Sequence, residues 1–163
     1  MGSLEYEYSF NVASILPYIE YCNKNGYKEE SRVTQNRVVY QNYVNEKVIA
    51  RLTTEVVDGK EVTVFDCKNT GEKNKDLNVS TESEEFIVTD EIKNGILSML
   101  ETMGFYVSAN NLRTRYVYVK NGVKFEIDDY IRPQMKVVAI EGEKEEVDKV
   151  YYELESIIAQ EKI

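Results

Sequence analysis

The segment Arg113-Thr-Arg115-Tyr-Val-Tyr-Val-Lys120, the dipeptide Asn121-Gly122 and the segment Val123-Lys-Phe-Glu126-Ile-Asp128-Asp129 decide the fold. Apolar and polar residues alternate on both sides of Asn121-Gly122, a pair suited to the positive φ angles of a two-residue hairpin turn. A third alternating segment, Lys136-Val-Val-Ala139-Ile140-Glu141-Gly-Glu143, follows Pro133. Side chains two apart on a strand share a face. Arg113 and Arg115 therefore point one way, as do Glu126 and Asp128, and as do Ala139, Glu141 and Glu143. Three such strands side by side put guanidiniums and carboxylates on one surface. On any single strand a charged face is the ordinary exposed face of a half-buried sheet, so the rest of the chain has to decide.

The chain has 163 residues, enough for one domain with a real core, and 1–163 is read as one. Hydrophobic residues make up 42% and charged residues 30%, the balance of a soluble globular protein. A net charge of −9 argues against nucleic acid as partner, which needs clustered Lys and Arg. No apolar run is long enough for a membrane span, and no leader pattern is present. Two cysteines, Cys22 and Cys67, are too few for a disulfide scaffold and point to a reducing cytoplasm. Histidine is absent, which removes His-based triads, His general bases and most zinc sites.

From the start, Leu4-Glu-Tyr-Glu-Tyr-Ser-Phe10 alternates strictly and predicts a strand with Glu5, Glu7 and Ser9 on one face. Val12, Ile15, Ile19 and Cys22 fall at helical spacing. Ser14 is the expected cap of that helix, Pro17 sits in its first turn, and Asn25-Gly26 ends it. Residues 27–44 predict a strand carrying Arg37 and Tyr40, and 47–56 another with Arg51 and Thr53 on one face. Asp58-Gly59 turns the chain, and 61–69 returns with Asp66 and Lys68 together. The polar run 70–82 reads as a loop, and 83–88 as a strand. Thr89 is expected to cap a helix with an Ile92, Ile96, Met99, Leu100, Met103 stripe, stopped by Gly104. A last helix over 144–161 should bury Val147, Val150, Tyr151, Leu154 and Ile158, with its acids in solvent.

The chain also resembles itself. Ile15-Leu-Pro-Tyr-Ile-Glu20 matches Ile96-Leu-Ser-Met-Leu-Glu101, Gly26-Tyr27 matches Gly104-Phe105, and Arg37-Val-Val-Tyr40 matches Arg115-Tyr-Val-Tyr118. The same register sets Arg51 against Glu126 and Lys68 against Glu141. The predicted architecture is α+β: an eight-stranded antiparallel barrel built from two βαβββ halves, helices packed outside, and a C-terminal helix. Closure removes exposed edges. The strand faces opposite the charges are rich in Val, Ile, Tyr and Phe, and amphipathic helices need apolar surface to cover. The charged faces are therefore expected to line the inside. Tyr40, Tyr43, Tyr116 and Tyr118 are open to core, barrel wall or a homodimer contact, with core expected.

The ordered set of Glu-x-Glu near the N-terminus, an Arg strand, a Lys strand, an Arg-x-Arg strand, an Asp strand and a final Ile-Glu resembles the CYTH family. These are the triphosphate tunnel metalloenzymes, which include class IV adenylyl cyclases, thiamine triphosphatases and inorganic triphosphatases. The resemblance runs from Leu4 to Glu143. It implies an eight-stranded tunnel binding a triphosphate-containing small molecule. It implies Mg²⁺ or Mn²⁺ at Glu5, Glu7, Asp128 and Glu141, substrate contacts from Arg51, Lys68, Arg113 and Arg115 with Arg37 beside them, and catalytic parts for Glu7, Lys68 and Arg115. Three positions depart from the family pattern. Ser9 stands for Lys, Thr53 for the second Arg of Arg-x-Arg, and Ala139 for the first Glu of the last pair.

The chemistry suits that substrate. A triphosphate carries about −4 to −5, and its burial needs opposing charge. Arginine forks and lysine points supply it, and carboxylates beside phosphate require a divalent ion between them. The reaction expected is metal-dependent hydrolysis of a triphosphate. A class IV adenylyl cyclase, which would need an adenine pocket, and a non-catalytic oligophosphate binder are the alternatives.

Overall fold

The computed structural model describes residues 2–161, in the order β1 (Ser3–Asn11), α1 (Leu16–Lys24), β2 (Lys28–Asn42), β3 (Val48–Val57), β4 (Lys60–Asn74), β5 (Leu77–Glu82), β6 (Phe86–Val88), α2 (Asp90–Thr102), β7 (Phe105–Lys120), β8 (Val123–Arg132), β9 (Met135–Gly142), α3 (Lys144–Glu153) and α4 (Glu155–Glu161). The strands run β3-β2-β7-β8-β9-β1-β5-β4, all antiparallel, and β3 pairs with β4 to close an eight-stranded barrel. β6 lies outside the closure, paired to the edge of β4 beyond β5.

The two halves are β1-α1-β2-β3-β4 and β5-α2-β7-β8-β9. The first strand of each half pairs with the last strand of the other, β1 with β9 and β5 with β4. The ladders also carry the repeat register. Arg51 faces Asp66 and Ile49 faces Lys68, as Glu126 faces Ala139 and Lys124 faces Glu141.

The apolar core sits between the barrel's outer wall and the helices. Tyr8 and Phe10 of β1, Phe125 and Ile127 of β8 and Val138 and Ile140 of β9 are buried. They meet Tyr18 and Cys22 of α1, Val147 and Val150 of α3, Leu154, and Ile158 of α4. This is why the charged faces turn inward. The helices claim the apolar side of the sheet, and only the lumen remains for the other side. Of the queried tyrosines, Tyr118 joins this core and Tyr43 is exposed.

Several expectations are corrected. Residues 70–82 are not a loop, because β4 continues to Asn74 and β5 supplies a barrel strand. A bulge between Asn69 and Glu72 permits this. Gly71, at φ +55, brings its backbone so close to Val79 that an added Cβ would lie 2.0 Å from the Val79 carbonyl oxygen. Gly71→Ala is therefore expected to cost roughly 1–3 kcal/mol, a fall in melting temperature of about 2–12 °C. An unchanged melting curve would show that the bulge is not under this constraint.

The first helix starts one residue later than expected, with Ile15 as its cap and Ser14 Oγ accepting the Leu16 N–H at 3.3 Å. The α2 stripe is mostly not core. Leu100 is buried, but Ile92, Met99 and Met103 are exposed. The last helix is broken at Leu154 into α3 and α4. Two of its acids are not merely solvated: Asp148 accepts the Tyr8 hydroxyl at 2.5 Å and Glu153 the Tyr21 hydroxyl at 2.5 Å, which fasten α3 to the barrel and to α1. Among the described residues no helix is long and apolar enough to cross a membrane.

Candidate functional site

The lumen has two lobes, of about 280 Å³ and about 290 Å³, which share Glu7, Arg37, Arg51, Lys68, Arg113 and Tyr130 as wall. Arg115, Glu126, Asp128 and Glu141 line the first lobe as well. The alternation of each strand puts them there. Arg113 and Lys68, three strands apart around the barrel, face one interior.

Ion pairs fill most of this interior. Arg51 holds Asp66 with two N–H groups, one at 2.9 Å from Nε, and reaches Glu82 at 3.1 Å. Lys68 lies 3.3 Å from Glu82. Arg115 forks onto both oxygens of Asp128 at 2.8 Å and donates to Glu126 at 2.6 Å. Arg113 donates to Tyr130 at 2.7 Å and to Gln35, and lies 3.5 Å from Asp128. Lys124 lies 2.5 Å from Glu141.

Arg37 is different. Its Nε donates to Thr53 Oγ1 at 2.9 Å, and it forms no ion pair with a carboxylate among the described residues. Burial, then the neighbouring Arg113, Arg115 and Arg51, push its pKa down to about 9. Thr53, the departure from the family's second Arg, lies directly across the ladder from Arg37. It offers an oxygen where a second guanidinium would repel.

At one end of the lumen Glu5, Glu7 and Glu141 bring one carboxylate oxygen each to within 4.8 Å of one another. Glu5 is raised to about 10, first by burial and then by its contacts with Glu141 and Glu82, so it carries a proton in this arrangement. Burial also raises Glu7, against the pull of Lys68. Glu82 is held down at about 2. The hydrogen bond from Glu5 and the charges of Arg51 and Lys68 outweigh its burial. The carboxylates of Glu5, Glu7 and Glu141 form an all-oxygen donor set suited to a hard divalent ion. Asp128 stands apart from these three, with both oxygens committed to Arg115.

Glu82, Asp66, Lys124, Tyr130 and Gln35 belong to the interior but were not assigned roles from sequence. Lys124 and Tyr130 share the parity of Glu126 and Asp128, Gln35 that of Arg37, and Asp66 that of Lys68, so parity could have found them. Glu82 was hidden in the presumed loop. Ser9 and Ala139 line the first lobe, as neighbours across the β1–β9 ladder.

No family model matches the chain, and no curated protein matches it. Solved structures do. The PH1819 protein from Pyrococcus horikoshii is 18% identical, with 96% of this chain and 89% of that one covered at a TM-score of 0.66. A candidate adenylyl cyclase from Hippeastrum with a dominant triphosphatase activity is 13% identical, covering 98% and 88% at 0.64. A chain of the Schizosaccharomyces pombe Mediator head module is 7% identical, covering 97% and 96% at 0.63. At these identities the likeness is one of fold: a closed tunnel barrel of the kind found in adenylyl cyclase and triphosphatase candidates, and also in a part of a large assembly.

Proposed function

We propose that the lumen binds a triphosphate together with Mg²⁺ or Mn²⁺ and hydrolyses it. One observation carries this reading: the Glu5, Glu7 and Glu141 carboxylates meet at the end of a lumen lined by Arg37, Arg51, Lys68, Arg113, Arg115 and Lys124. Glu5, Glu7 and Glu141 would hold the divalent ion, which when bound supplies charge neutralisation and activation of water. The chain's own groups do the rest. Arg37, without a carboxylate partner among the described residues, meets the phosphate chain first. Lys68 and Arg115 face charge developing on the transferred phosphoryl group, where fixed donors in a dry site act most strongly. Asp128 holds the Arg115 fork in one orientation. Glu7 lines both lobes, which places its carboxylate where it could take a proton from the attacking water.

Capture without turnover is the second reading, supported by Ser9 and Ala139, which leave uncharged wall where the family carries Lys and Glu. The cyclase reading has less support. Tyr130 is the aromatic side chain of the two lobes, and its hydroxyl is engaged by Arg113.

The test is incubation with inorganic triphosphate, thiamine triphosphate and ATP, each with Mg²⁺ or Mn²⁺ and with a chelator. Metal-dependent phosphate release is expected, reduced at least about 100-fold in Glu7→Gln. Binding without release selects capture, and cyclic AMP selects the cyclase. A ligand that binds only the folded state stabilises it by about 2.7 kcal/mol at 100 times Kd. Triphosphate with metal should thus raise the melting temperature by about 5–11 °C. Monophosphate should do much less. Equal shifts with sulfate, monophosphate and triphosphate would leave only non-specific ion stabilisation and defeat the proposal.

A further inference from the structure

We infer that Glu82 is an internal stand-in for phosphate, and that the ligand must displace it from Arg51 and Lys68 before it can bind. This rests on the triphosphate reading of the lumen and adds a residue that reading does not assign. One oxygen of the Glu82 carboxylate, Oε1, bridges two cations, at 3.1 Å from Arg51 and 3.3 Å from Lys68, the placement a single phosphoryl oxygen would take.

Among the lumen carboxylates in ion pairs, Glu82 is the one built to move. Its side chain is 24% exposed, against 14% or less for Asp66, Glu126, Asp128 and Glu141. It is the last residue of β5, where regular pairing stops before β6 begins. Asp66 and Asp128, by contrast, lie within long strands and are gripped by forked guanidiniums. A charge-assisted pair is strong, but a more highly charged anion on the same two cations replaces it without leaving either one bare.

Glu82 has somewhere to go. Ser3 lies opposite it and Glu5 opposite Ser80, so Glu5 and Glu82 are diagonal neighbours on the lumen face and already share a hydrogen bond. A released Glu82 therefore turns toward Glu5, Glu7 and Glu141 and adds an oxygen to the carboxylates gathered there. Anion binding frees a ligand for the divalent ion, and the ion draws that carboxylate off Arg51 and Lys68. The two bind with positive coupling, and the coupling is reciprocal. Glu82 is thus a positioning residue for both.

The experiment measures the Kd of inorganic triphosphate by calorimetry, with chelator and with saturating Mg²⁺, in wild type, Glu82→Gln and Glu85→Gln. Glu85 also lines the first lobe but is exposed at its rim, so it controls for the loss of one negative charge. Without metal, Glu82→Gln should bind about tenfold more tightly than wild type, or measurably where wild type does not, and Glu85→Gln should gain far less. The gain on adding Mg²⁺ should shrink in Glu82→Gln alone. Melting curves confirm that the variants fold. Unchanged or weaker metal-free binding by Glu82→Gln overturns the inference, as do equal gains in the two variants. If wild type binds with Mg²⁺ and these differences fail, the displacement alone is wrong. If neither protein binds triphosphate under any condition, the reading of the lumen falls with it.

Discussion

Arg37→Met is expected to melt at a higher temperature than wild type and to lose oligophosphate binding. The guanidinium of Arg37 is buried beside three others, and its listener in the fold is a neutral Thr53 hydroxyl. Replacing poorly compensated buried charge by apolar volume stabilises proteins by roughly 1–4 kcal/mol, or about 2–16 °C for a chain of this length. Burial and the neighbouring guanidiniums make Arg37 hold its proton less readily in the fold, with a pKa pushed down to about 9, well below that of a free guanidinium. The penalty is therefore present below about pH 9 and fades as pH rises through the window toward the free value. The melting gap between variant and wild type should narrow across that alkaline range. A variant that melts lower and still shows a full triphosphate-induced shift would contradict the assignment. The structure makes Arg37 a better probe than Arg113 or Lys68. Mutual repulsion would predict relief on removing either of those two, but both are already paired with carboxylates.

Arg115→Ala should have the opposite sign and the largest destabilisation. It leaves Asp128 without its fork and Glu126 without its shortest bond, and both carboxylates line a closed lumen. Removing one partner of a buried ion pair costs about 3–5 kcal/mol, or a fall of about 6–20 °C in melting temperature. Burial would raise the Asp128 pKa, but Arg115, Arg113 and Arg37 together hold it below the usual carboxylate range. Its stabilising contribution is present above the pKa of a free Asp and is lost as pH falls through the lower, folded value. Without Arg115 that contribution is gone at neutral pH, so the gap to wild type should close in acid. Arg115→Lys keeps the charge but not the fork, and should recover only part of the loss. Melting within two or three degrees of wild type at neutral pH would show that Asp128 and Glu126 are satisfied some other way.

The barrel was legible because the charged residues keep one parity over many strands, while helix patterns account for the apolar side. Arg37, Arg51, Lys68, Arg113 and Arg115 could be placed inside on that basis. What parity does not supply is pairing. Arg51 and Lys68 were expected as free phosphate donors, yet their partners Asp66 and Glu82 follow from ladder register, which depends on turns and on the bulge at Gly71. The Leu77–Glu82 strand was missed because Asn, Ser and Thr dominate it and only Leu77 and Val79 mark its apolar face. The repeat still held a clue. Lys68 faces Glu82 across β4–β5 as Glu141 faces Glu7 across β9–β1, so Glu82 is the second half's counterpart of Glu7. The exposed α2 stripe erred the other way, since spacing alone does not say whether a surface is present to receive it.

The pairing of β1 with β9 and β5 bears on how the protein is made. Glu5 and Glu7 leave the ribosome ahead of the rest of the barrel, but the strand that carries them has no neighbour until β5 is synthesised and no second neighbour until β9 is. Contacts between such distant parts of a chain form late and slowly. The carboxylate cluster therefore cannot exist on a partly synthesised chain, and a divalent ion that binds it stabilises only the completed barrel. If Glu5, Glu7 and Glu141 hold a divalent ion as proposed, its capture by a nascent chain would report that the barrel has closed.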